Sequence, residues 1–472
     1  MPRARWLAPS WGRCRVGVLS AVFWGALVLS LLVFLHEGGH YLAARAFGVR
    51  VTEFFLGMPC PLKLSRKSAR HGTEVGVTPI LLGGYTRICG MEADEDELAP
   101  RILGIVQREG RVRAADVAAE VGCDEDRAYG VLAMLSDWAS IRPFYDPELG
   151  EKPSQSTYPE AFETLARDPD MLTEYDRGHD FTRPGSTKAG EPHVSELSDE
   201  ELYQLDRKRT YKGVGFGPRV CMLLAGPLVN LVLAFLIVTI SIMVMGVTVV
   251  SDSPTLAAVS EDGYAAAAGI SGGDTIVAID GAEVASWTEI CDALDPLLAS
   301  GTDFEVTFVH DGQTTTSLVD LPDGEEVALF GITAMVETYH PGLFEAASYA
   351  LGYARQVGSF ALKLITPTET IGVLEQSTSV VGISVMASEA AASGPIDLAL
   401  FVGAISMSLG FMNLLPIPPL DGGKILIELI QLIVRRPLST RAQNIVSYVG
   451  LAFFLFVFVF VLRNDFIRYV LG

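Results

Sequence analysis

The amino-acid sequence predicts a membrane protein that is mainly α-helical and crosses the bilayer four times. The chain has 472 residues, of which 49% are hydrophobic and 19% charged. Its mean hydropathy of +0.34 is high for a soluble protein with so many charges, so charged and apolar residues must be segregated. Six cysteines in this length do not make a disulfide framework. The net charge of −21 argues against nucleic acid as a partner.

Four long stretches contain no Asp, Glu, Lys or Arg, and each can cross the hydrocarbon layer, which takes about 20 residues at helical rise. They lie between Arg15 and His36, between Arg219 and Asp252, between Asp397 and Asp421, and between Arg441 and Arg463. Backbone groups in lipid must be satisfied within the segment, so these stretches are expected to be helices. The alternatives are buried helices of a soluble protein or, for the first stretch, a signal peptide, but no small-residue cleavage site follows it.

These spans divide the chain into segments that differ in composition. The segments are an N-terminal tail (1–15), the first span (16–47), a membrane-associated β region (48–92), a charged insertion (93–212), the second span (213–246), a β-rich module (247–338), a juxtamembrane amphipathic segment (339–394), the third span (395–434), and a loop with the fourth span (435–472).

The placement of Lys and Arg predicts the orientation in the membrane. Residues 220–354 contain no Lys or Arg but 18 acidic residues, whereas the loops after the first and third spans are basic. We therefore expect residues 48–212 on the cytoplasmic side and the β-rich module outside. The four arginines of the N-terminal tail favour the opposite orientation.

The first span ends in the pentapeptide His36-Glu37-Gly38-Gly39-His40. Residues four apart on a helix share one face, so the two imidazoles can bind one Zn²⁺ with Glu37 beside them. Histidines and a carboxylate are costly to bury at the end of a membrane span, which favours a functional site over a chance match. The alternative is a pair of interfacial histidines that face lipid headgroups.

A catalytic zinc ion needs a third protein ligand, and Asp421 is the best candidate. It is the only acidic residue between Asp397 and Glu428, and it ends the proline-rich segment that begins at Asn413. Three prolines and two glycines there cannot continue a regular helix, and non-helical backbone at membrane depth must be packed in protein or line a wet cavity. The alternative is a plain loop in which Asp421 caps the next helix.

These residue types predict metal-assisted hydrolysis. A zinc ion held by His36, His40 and Asp421 would lower the pKa of a bound water towards about 7 and polarise a carbonyl oxygen. Glu37 would take the proton from that water and pass it to the leaving amine. Asn413 would contact the developing oxyanion or the substrate backbone.

The two motifs, His36-Glu37-Gly-Gly-His40 and Asn413-x-x-Pro-x-Pro-x-Leu-Asp421-Gly, resemble the site-2 protease family of intramembrane zinc metalloproteases, in particular the bacterial regulator-of-sigma-E protease type. Further similar segments are Gly83-Gly84-Tyr85, Ala225-Gly226-Pro227-x-x-Asn230, Val381-Gly382-Ile383-Ser384 and Asn464-Asp465.

The resemblance implies a multi-pass protease of the bacterial cytoplasmic (inner) membrane. It would cut single-span proteins, such as anti-sigma factors or remnant signal peptides, within or beside the lipid bilayer. It also implies Zn²⁺ as the cofactor and adds Asn230 as a candidate for contact with substrate or oxyanion. A β-like stretch at about Val75 to Ile88 would enter the membrane and bind the substrate as an added strand. Its Gly-Gly pair could equally be an ordinary hairpin bend.

The β-rich module predicts strands at Thr275–Ile279 and Phe304–Val309 and a helix near Trp287 to Leu298. Its motif from Ala268 to Gly281 resembles a PDZ domain. Such a domain would bind a new C-terminus or exclude bulky ectodomains. We prefer the size filter, because an acidic module without Lys or Arg attracts a carboxylate poorly. The stretch 341–364 predicts an interfacial amphipathic helix.

The insertion carries 27 acidic and 15 basic residues. Helical apolar spacing at 100–110, 113–121 and 124–138 is similar in order to a winged-helix domain. The acidity disfavours DNA, so we expect it to bind a protein or to act as a lid, with a solvated insertion without a specific role as the alternative. Residues 146–200, rich in Pro, Ser, Asp and Glu, predict a mobile linker.

A different class of function stays open from the sequence alone. The chain could be a membrane scaffold that recruits partners through the PDZ-like module and the insertion, with a structural or vestigial zinc site. The intact Glu37 favours the protease, because a structural zinc site does not need a general base.

Overall fold

The computed structural model describes residues 17–91, 95–152, 159–193, 195–322, 327–436, 438 and 440–467. One compact unit contains residues 239–346, and the other contains the described residues on either side of that segment.

The first half of the chain combines long apolar helices with two small sheets. In chain order its elements are α1 (Val18–Ala46), β1 (Val51–Leu56), β2 (Leu64–Lys67), β3 (Glu74–Val77), β4 (Gly84–Ile88), α2 (Ala99–Glu109), β5 (Arg111–Arg113), α3 (Ala114–Val121), α4 (Glu125–Asp137), β6 (Ile141–Phe144), the 3₁₀ turn Pro147–Leu149, β7 (Ala161–Thr164), α5 (Asp199–Arg207) and α6 (Phe216–Met245).

The second half begins with a β-rich region and ends in helices. Its elements are β8 (Val247–Val250), β9 (Leu256–Val259), α7 (Tyr264–Ala267), β10 (Thr275–Ile279), β11 (Ala282–Glu283), α8 (Trp287–Ser300), β12 (Phe304–His310), β13 (Gln313–Val319), β14 (Ile332–Ala334), β15 (Val336–Tyr339), α9 (Leu343–Leu364), α10 (Thr370–Gln376), α11 (Val380–Ser393), α12 (Pro395–Asn413), α13 (Asp421–Val434) and α14 (Thr440–Phe466).

Four described helices are long and apolar enough to cross a membrane. They are α1, α6, α12 and the Ile445–Phe466 part of α14. These helices coincide with the four predicted spans, so the prediction of a multi-pass membrane protein is confirmed. The proline-rich segment also interrupts the third predicted span as expected, because α12 ends at Asn413 and α13 begins at Asp421.

The region 339–394 contains three helices, and the first of them, α9, lies at the position of the amphipathic helix predicted at 341–364. α10 and α11, bent by 42° at their junction, together also pass the length and hydropathy test for a span. α11 packs closely on α1, since a Cβ atom built on Gly25 would lie 2.1 Å from Oγ of Ser384. Asp465 near the end of α14 accepts hydrogen bonds from the backbone N–H groups of Ser379 (2.6 Å) and Gly382 (3.2 Å), at the start of α11. A buried carboxylate therefore fixes the helix that supports α1.

The β region after α1 is a four-stranded sheet in the order β2-β3-β1-β4. β1 pairs in parallel with β3 and antiparallel with β4, so β4 is an edge strand of the described sheet. The Gly83-Gly84 pair starts β4 beside α1: the N–H of Gly83 donates to Oγ of Ser30 at 3.2 Å. β4 therefore runs alongside the last turns of α1.

The predicted helices of the insertion correspond to α2, α3 and α4, which pack with a three-stranded sheet in the order β5-β7-β6. Residues 165–193, expected to form a mobile linker, have little regular structure but are packed: Arg167, Asp168 and Thr173 are buried. The prediction of mobility is wrong for this part, because its polar side chains make buried ion pairs and hydrogen bonds instead of facing solvent. Residues 153–158 and 194 lie outside the described residues.

A buried ion network joins this insertion to the β region. The guanidinium of Arg50, which follows α1, donates to both carboxylate oxygens of Asp176 (2.8 and 2.7 Å) and to Asp206 (2.9 Å). Arg167 donates to the other oxygen of Asp206 at 2.6 Å. Burial alone would raise the pKa of Asp206, but Arg167 and Arg50 hold it well below its usual range. The insertion is thus attached to the β region at Arg50, ten residues after His40.

The smaller unit is β-rich, as predicted. β10 and α8 lie at the predicted positions, and β12 is one residue longer than expected. A four-stranded sheet in the order β11-β10-β12-β13 and the antiparallel pair β9–β14 enclose one apolar core with α8.

Candidate active site

The two histidines of α1 and the aspartate that begins α13 meet at one point. Nε2 of His36 lies 3.1 Å from Nε2 of His40 and 3.1 Å from Oδ2 of Asp421, and Nε2 of His40 lies 3.2 Å from the same oxygen. All three side chains are buried. In a tetrahedron with metal–ligand bonds of about 2.0–2.1 Å the ligand atoms lie about 3.3 Å apart, so this triangle fits a zinc ion.

The backbone of α6 orients His40. Nδ1 of His40 lies 2.7 Å from the carbonyl oxygen of Met222. A carbonyl oxygen only accepts, so Nδ1 carries the ring proton and Nε2 presents its lone pair to the triangle. Such a contact to the second ring nitrogen is usual for histidines that bind zinc.

Asn230 occupies the equivalent place behind His36. Its amide Nδ2 lies 3.5 Å from Nδ1 of His36, and its Oδ1 is buried without a hydrogen-bond partner among the described residues. Rotating the amide group by 180° places Oδ1 of Asn230 beside Nδ1 of His36. Oδ1 then accepts a hydrogen bond from a proton on Nδ1, and Nε2 of His36 is left unprotonated. Ser406 of α12 donates to the backbone carbonyl of Asn230 at 2.8 Å and so holds this part of α6.

Glycines allow α1 and α6 to approach each other at the histidines. A Cβ atom on Gly226 would lie 2.4 Å from Nε2 of His40 and 2.8 Å from Nε2 of His36. One on Gly39 would lie 2.5 Å from the carbonyl oxygen of Ala225. Real Cβ atoms do not approach other atoms this closely, so both positions require glycine if the triangle is to form.

The turn before Asp421 is equally tight. A Cβ atom on Gly422 would lie 2.2 Å from the carbonyl oxygen of Leu414, and one on Gly423 would lie 2.2 Å from the backbone nitrogen of Pro418. The peptide bond between Pro418 and Pro419 is cis. The prolines and glycines thus fold the chain back so that the first residue of α13 reaches α1. Asp421 is therefore a member of the buried triangle and not the cap of a plain loop, because Leu420 holds the N-cap position of α13 and no side chain caps it.

The other two predicted residues have free side chains. Glu37 is half-buried, and its carboxylate makes no hydrogen bond or ion pair with any residue that the structure describes. Asn413 is also half-buried, at the end of α12, and its amide has no hydrogen-bond partner in the described part of the chain. Both side chains are available to bind a ligand.

Sequence reasoning missed three contributors to the site: the carbonyl of Met222, the close approach at Gly226, and Thr86, whose hydroxyl donates to the backbone carbonyl of Glu37 at 3.0 Å. The Ala225-Gly226-Pro227 segment signalled the second of these. The other two contacts leave no pattern in the sequence, because a backbone carbonyl and an isolated threonine are common everywhere.

Comparison with known proteins agrees with this geometry. The sequence profile described as peptidase family M50 matches residues 24–457. The zinc metalloprotease RasP of Geobacillus kaustophilus is 26% identical over 97% of this chain and 100% of its own length. The regulator of sigma-W protease RasP of Bacillus subtilis is 27% identical over 93% of this chain and 96% of its own length. A putative zinc metalloprotease of Lactococcus lactis is 24% identical over 94% and 97%. The chain therefore belongs to peptidase family M50, the site-2 proteases, and is a zinc metalloprotease.

Proposed function

We propose that this protease is an endopeptidase that cuts single-span membrane proteins within or beside the bilayer of the bacterial cytoplasmic membrane. The observation that carries the proposal is the triangle of His36, His40 and Asp421, which two apolar helices and a proline-rich turn bring together. A hydrolytic site built on a candidate membrane span suits a substrate that is itself in the membrane. Anti-sigma factors and remnant signal peptides are the substrates proposed, and the sigma-W regulator among the relatives supports the first class.

The chain's residues have separate roles in this reaction. His36, His40 and Asp421 hold the zinc ion, which supplies a Lewis acid for activating water and polarising the scissile carbonyl. Glu37 accepts a proton from the attacking water and delivers it to the leaving amine; its freedom from other partners suits this task. Met222 keeps His40 in the tautomer that binds metal.

The two asparagines take different roles in the proposal. Asn413, with an amide free of other partners, donates to the oxyanion or to the substrate backbone. Asn230 was expected to do the same, but its position behind His36 suits orientation of the imidazole better than contact with substrate. Only 1% of Asn230 is exposed, which leaves it no surface for a substrate.

The edge strand β4 is the proposed receptor for the substrate. It lies at the edge of the described sheet and is tied to α1 at Glu37 by Thr86. A substrate helix must unwind before its peptide bond can be attacked, and the unwound backbone groups need partners in the membrane. An edge strand supplies them by adding the substrate as a further strand.

The remaining modules have proposed roles that follow from charge. The unit without Lys or Arg is placed outside the cell as a PDZ-like size filter, and residues 48–212 on the cytoplasmic side, in agreement with the positive-inside rule. The order and pairing of α2 to β7 support a winged-helix-like insertion. Its excess of acidic residues favours a protein as its partner over DNA.

The test of this function is cleavage of single-span reporters by the purified protein in detergent. Glu37→Gln keeps the shape of the side chain but cannot accept the proton, so we expect a loss of about a hundredfold or more in rate while zinc content is unchanged. A zinc chelator should stop cleavage by the wild type. Equal rates for both proteins would remove Glu37 from the mechanism, and chelator-resistant cleavage would remove the metal.

A further inference from the structure

A cleft of the described structure lies between β4 and α13. It has a volume of about 1340 Å³ and is lined by Tyr85 to Ile88 of the edge strand and by one face of α13, including Lys424, Glu428 and Gln431. The end of the insertion and the start of α6 complete its wall, with Tyr211 and Arg219. The proposed reaction gives β4 a role but leaves the side of the cleft formed by α13 without one.

The cleft is positively charged, although the chain has a net charge of −21. Its lining contains seven Lys and Arg residues against four Asp and Glu residues. Three of the acids are close to cationic partners: Glu95 to Arg207 at 2.7 Å, Glu428 to Arg219 at 2.9 Å and Asp137 to Arg87 at 4.0 Å. The fourth, Glu53, lies close to the hydroxyl of Tyr85.

Three cations of the lining are not neutralised in this way. Lys424, Arg435 and Arg436 make no ion pair with a described residue, and all three are exposed. Lys424 lies in the first turn of α13 and Arg435 directly follows its last turn, and both line the cleft. This arrangement is a row of positive charge that attracts an anionic ligand.

The cleft continues the path of a strand added to β4. β4 starts beside Ser30 in the middle of α1, passes Glu37 at Thr86, and ends at Ile88, which packs in one cluster with Ala44 near the end of α1. A chain that follows this strand past the zinc ligands leaves the sheet next to Arg87 and enters the cleft. The segment in the cleft is then the one that flanks the substrate's span on the insertion side.

We propose that this cleft binds the insertion-side flank of the substrate and selects flanks that carry Asp or Glu. The proposal rests on the proposed function and names a specificity determinant for it. Most single-span proteins carry Lys or Arg at a cytoplasmic flank. A basic cleft repels flanks that carry Lys or Arg and therefore disfavours most single-span proteins as substrates. It attracts the minority whose flanks carry Asp or Glu.

The test uses reporters with one transmembrane sequence and three insertion-side flanks, containing four Glu, four Gln or four Lys residues. The full-length protein is reconstituted in phosphatidylcholine vesicles, which carry no net charge. The expected order of kcat/KM is Glu above Gln above Lys, with about a three- to tenfold difference between neighbours, because each exposed ion pair contributes modestly. The differences should shrink at high salt.

The matched variants assign the preference to the cleft. Replacement of Lys424, Arg435 and Arg436 by Gln should bring the three reporters to within about twofold of one another, and Arg435→Glu with Arg436→Glu should favour the Lys flank. The control replaces three exposed basic residues outside the cleft, Arg66, Arg70 and Lys208, by Gln and should keep the wild-type order.

The outcomes separate this inference from the proposed function. If the wild type cuts all three reporters at equal rates, the cleft does not select substrates by the charge of the flank, and this inference fails while the protease function stands. If no reporter is cut with zinc present, the proposed function fails first. Vesicles that contain phosphatidylglycerol test a lipid occupant: a change in rate that is equal for all flanks and is lost in the triple variant would make the cleft a headgroup site and overturn the proposal.

Discussion

The hydroxyl of Thr86 donates a hydrogen bond to the backbone carbonyl of Glu37, 3.0 Å away. This contact joins the middle of the edge strand to the helix turn that carries both histidines. If the substrate adds to β4 as proposed, this contact would keep it at a fixed distance from the proposed zinc ligands. Catalysis depends on such placement, because small displacements of the reacting groups are costly.

Thr86→Val removes this hydrogen bond and keeps the shape of the side chain. We expect kcat/KM for a single-span reporter to fall about three- to tenfold, with zinc content and thermal stability close to wild type. Thr52→Val is the matched control, because the hydrogen bond that the Thr52 hydroxyl donates to the carbonyl of Arg87 is exposed and long, at 3.5 Å. An unchanged kcat/KM in Thr86→Val would show that the strand is positioned by the sheet alone.

Asn230→Leu should weaken zinc binding about ten- to hundredfold, because Nδ1 of His36 loses the partner that fixes its proton. Asn230→Asp can still accept from Nδ1 and should retain most of the affinity. Equilibrium competition with a chelator measures both variants, and Thr239→Val, at another buried polar position of α6, is the control. Equal zinc affinities for the Leu and Asp variants would exclude a role through the imidazole.

The features that depend on composition and residue spacing could be predicted from the sequence. His36 and His40 could be paired because helix geometry places residues four apart on one face. Asp421 could be added because a lone carboxylate beside a helix break at membrane depth is costly unless it faces a partner or a wet cavity. The spans followed from their lack of charge, and the helices of the insertion from apolar spacing.

Features that depend on tertiary packing could not be predicted in this way. The polar composition of residues 165–193 indicates mobility, yet Arg167 is buried there because it pairs with the distant Asp206. Asp168 is buried because backbone N–H groups of the same segment donate to its carboxylate. α11 was not recognised as a helix against α1, since its contact depends on a glycine and a serine 359 positions apart, Gly25 and Ser384. Asn230 could be noticed as a motif residue, but only coordinates show which nitrogen of His36 it faces.

Gly226→Ala should abolish zinc binding and cleavage. The new methyl group would lie 2.4 Å from Nε2 of His40, so the imidazoles must move apart and the triangle opens. Gly217→Ala is the control in the same helix, since a Cβ atom there meets nothing within 4 Å. Metal analysis and thermal melting should show a folded protein without zinc, and stoichiometric zinc in Gly226→Ala would contradict the geometry of the site.

Asp206→Asn should destabilise the insertion by about 3 kcal/mol at neutral pH, because it leaves buried guanidinium groups without their counter-charge. The folded-state pKa of Asp206 lies well below its ordinary value of about 4, so the ionised carboxylate stabilises the fold fully above that pH. As the pH falls below about 4, the opened state binds a proton at Asp206 while the folded state keeps the carboxylate ionised, so this stabilisation is lost progressively until the pH reaches the lower folded-state pKa.

Hydrogen exchange of the amides in α2 to α4, measured by mass spectrometry on the full-length protein, provides the readout. The difference in opening free energy between wild type and Asp206→Asn should be constant from about pH 5 to 7 and should narrow below about pH 4. Asp116→Asn, an exposed acid on α3 of the same insertion, should show no such difference. If the difference in opening free energy stays constant as the pH falls to about 2, protonation has no effect on the stability of the insertion. That result would show that charge pairing with Arg50 and Arg167 does not hold the insertion in place.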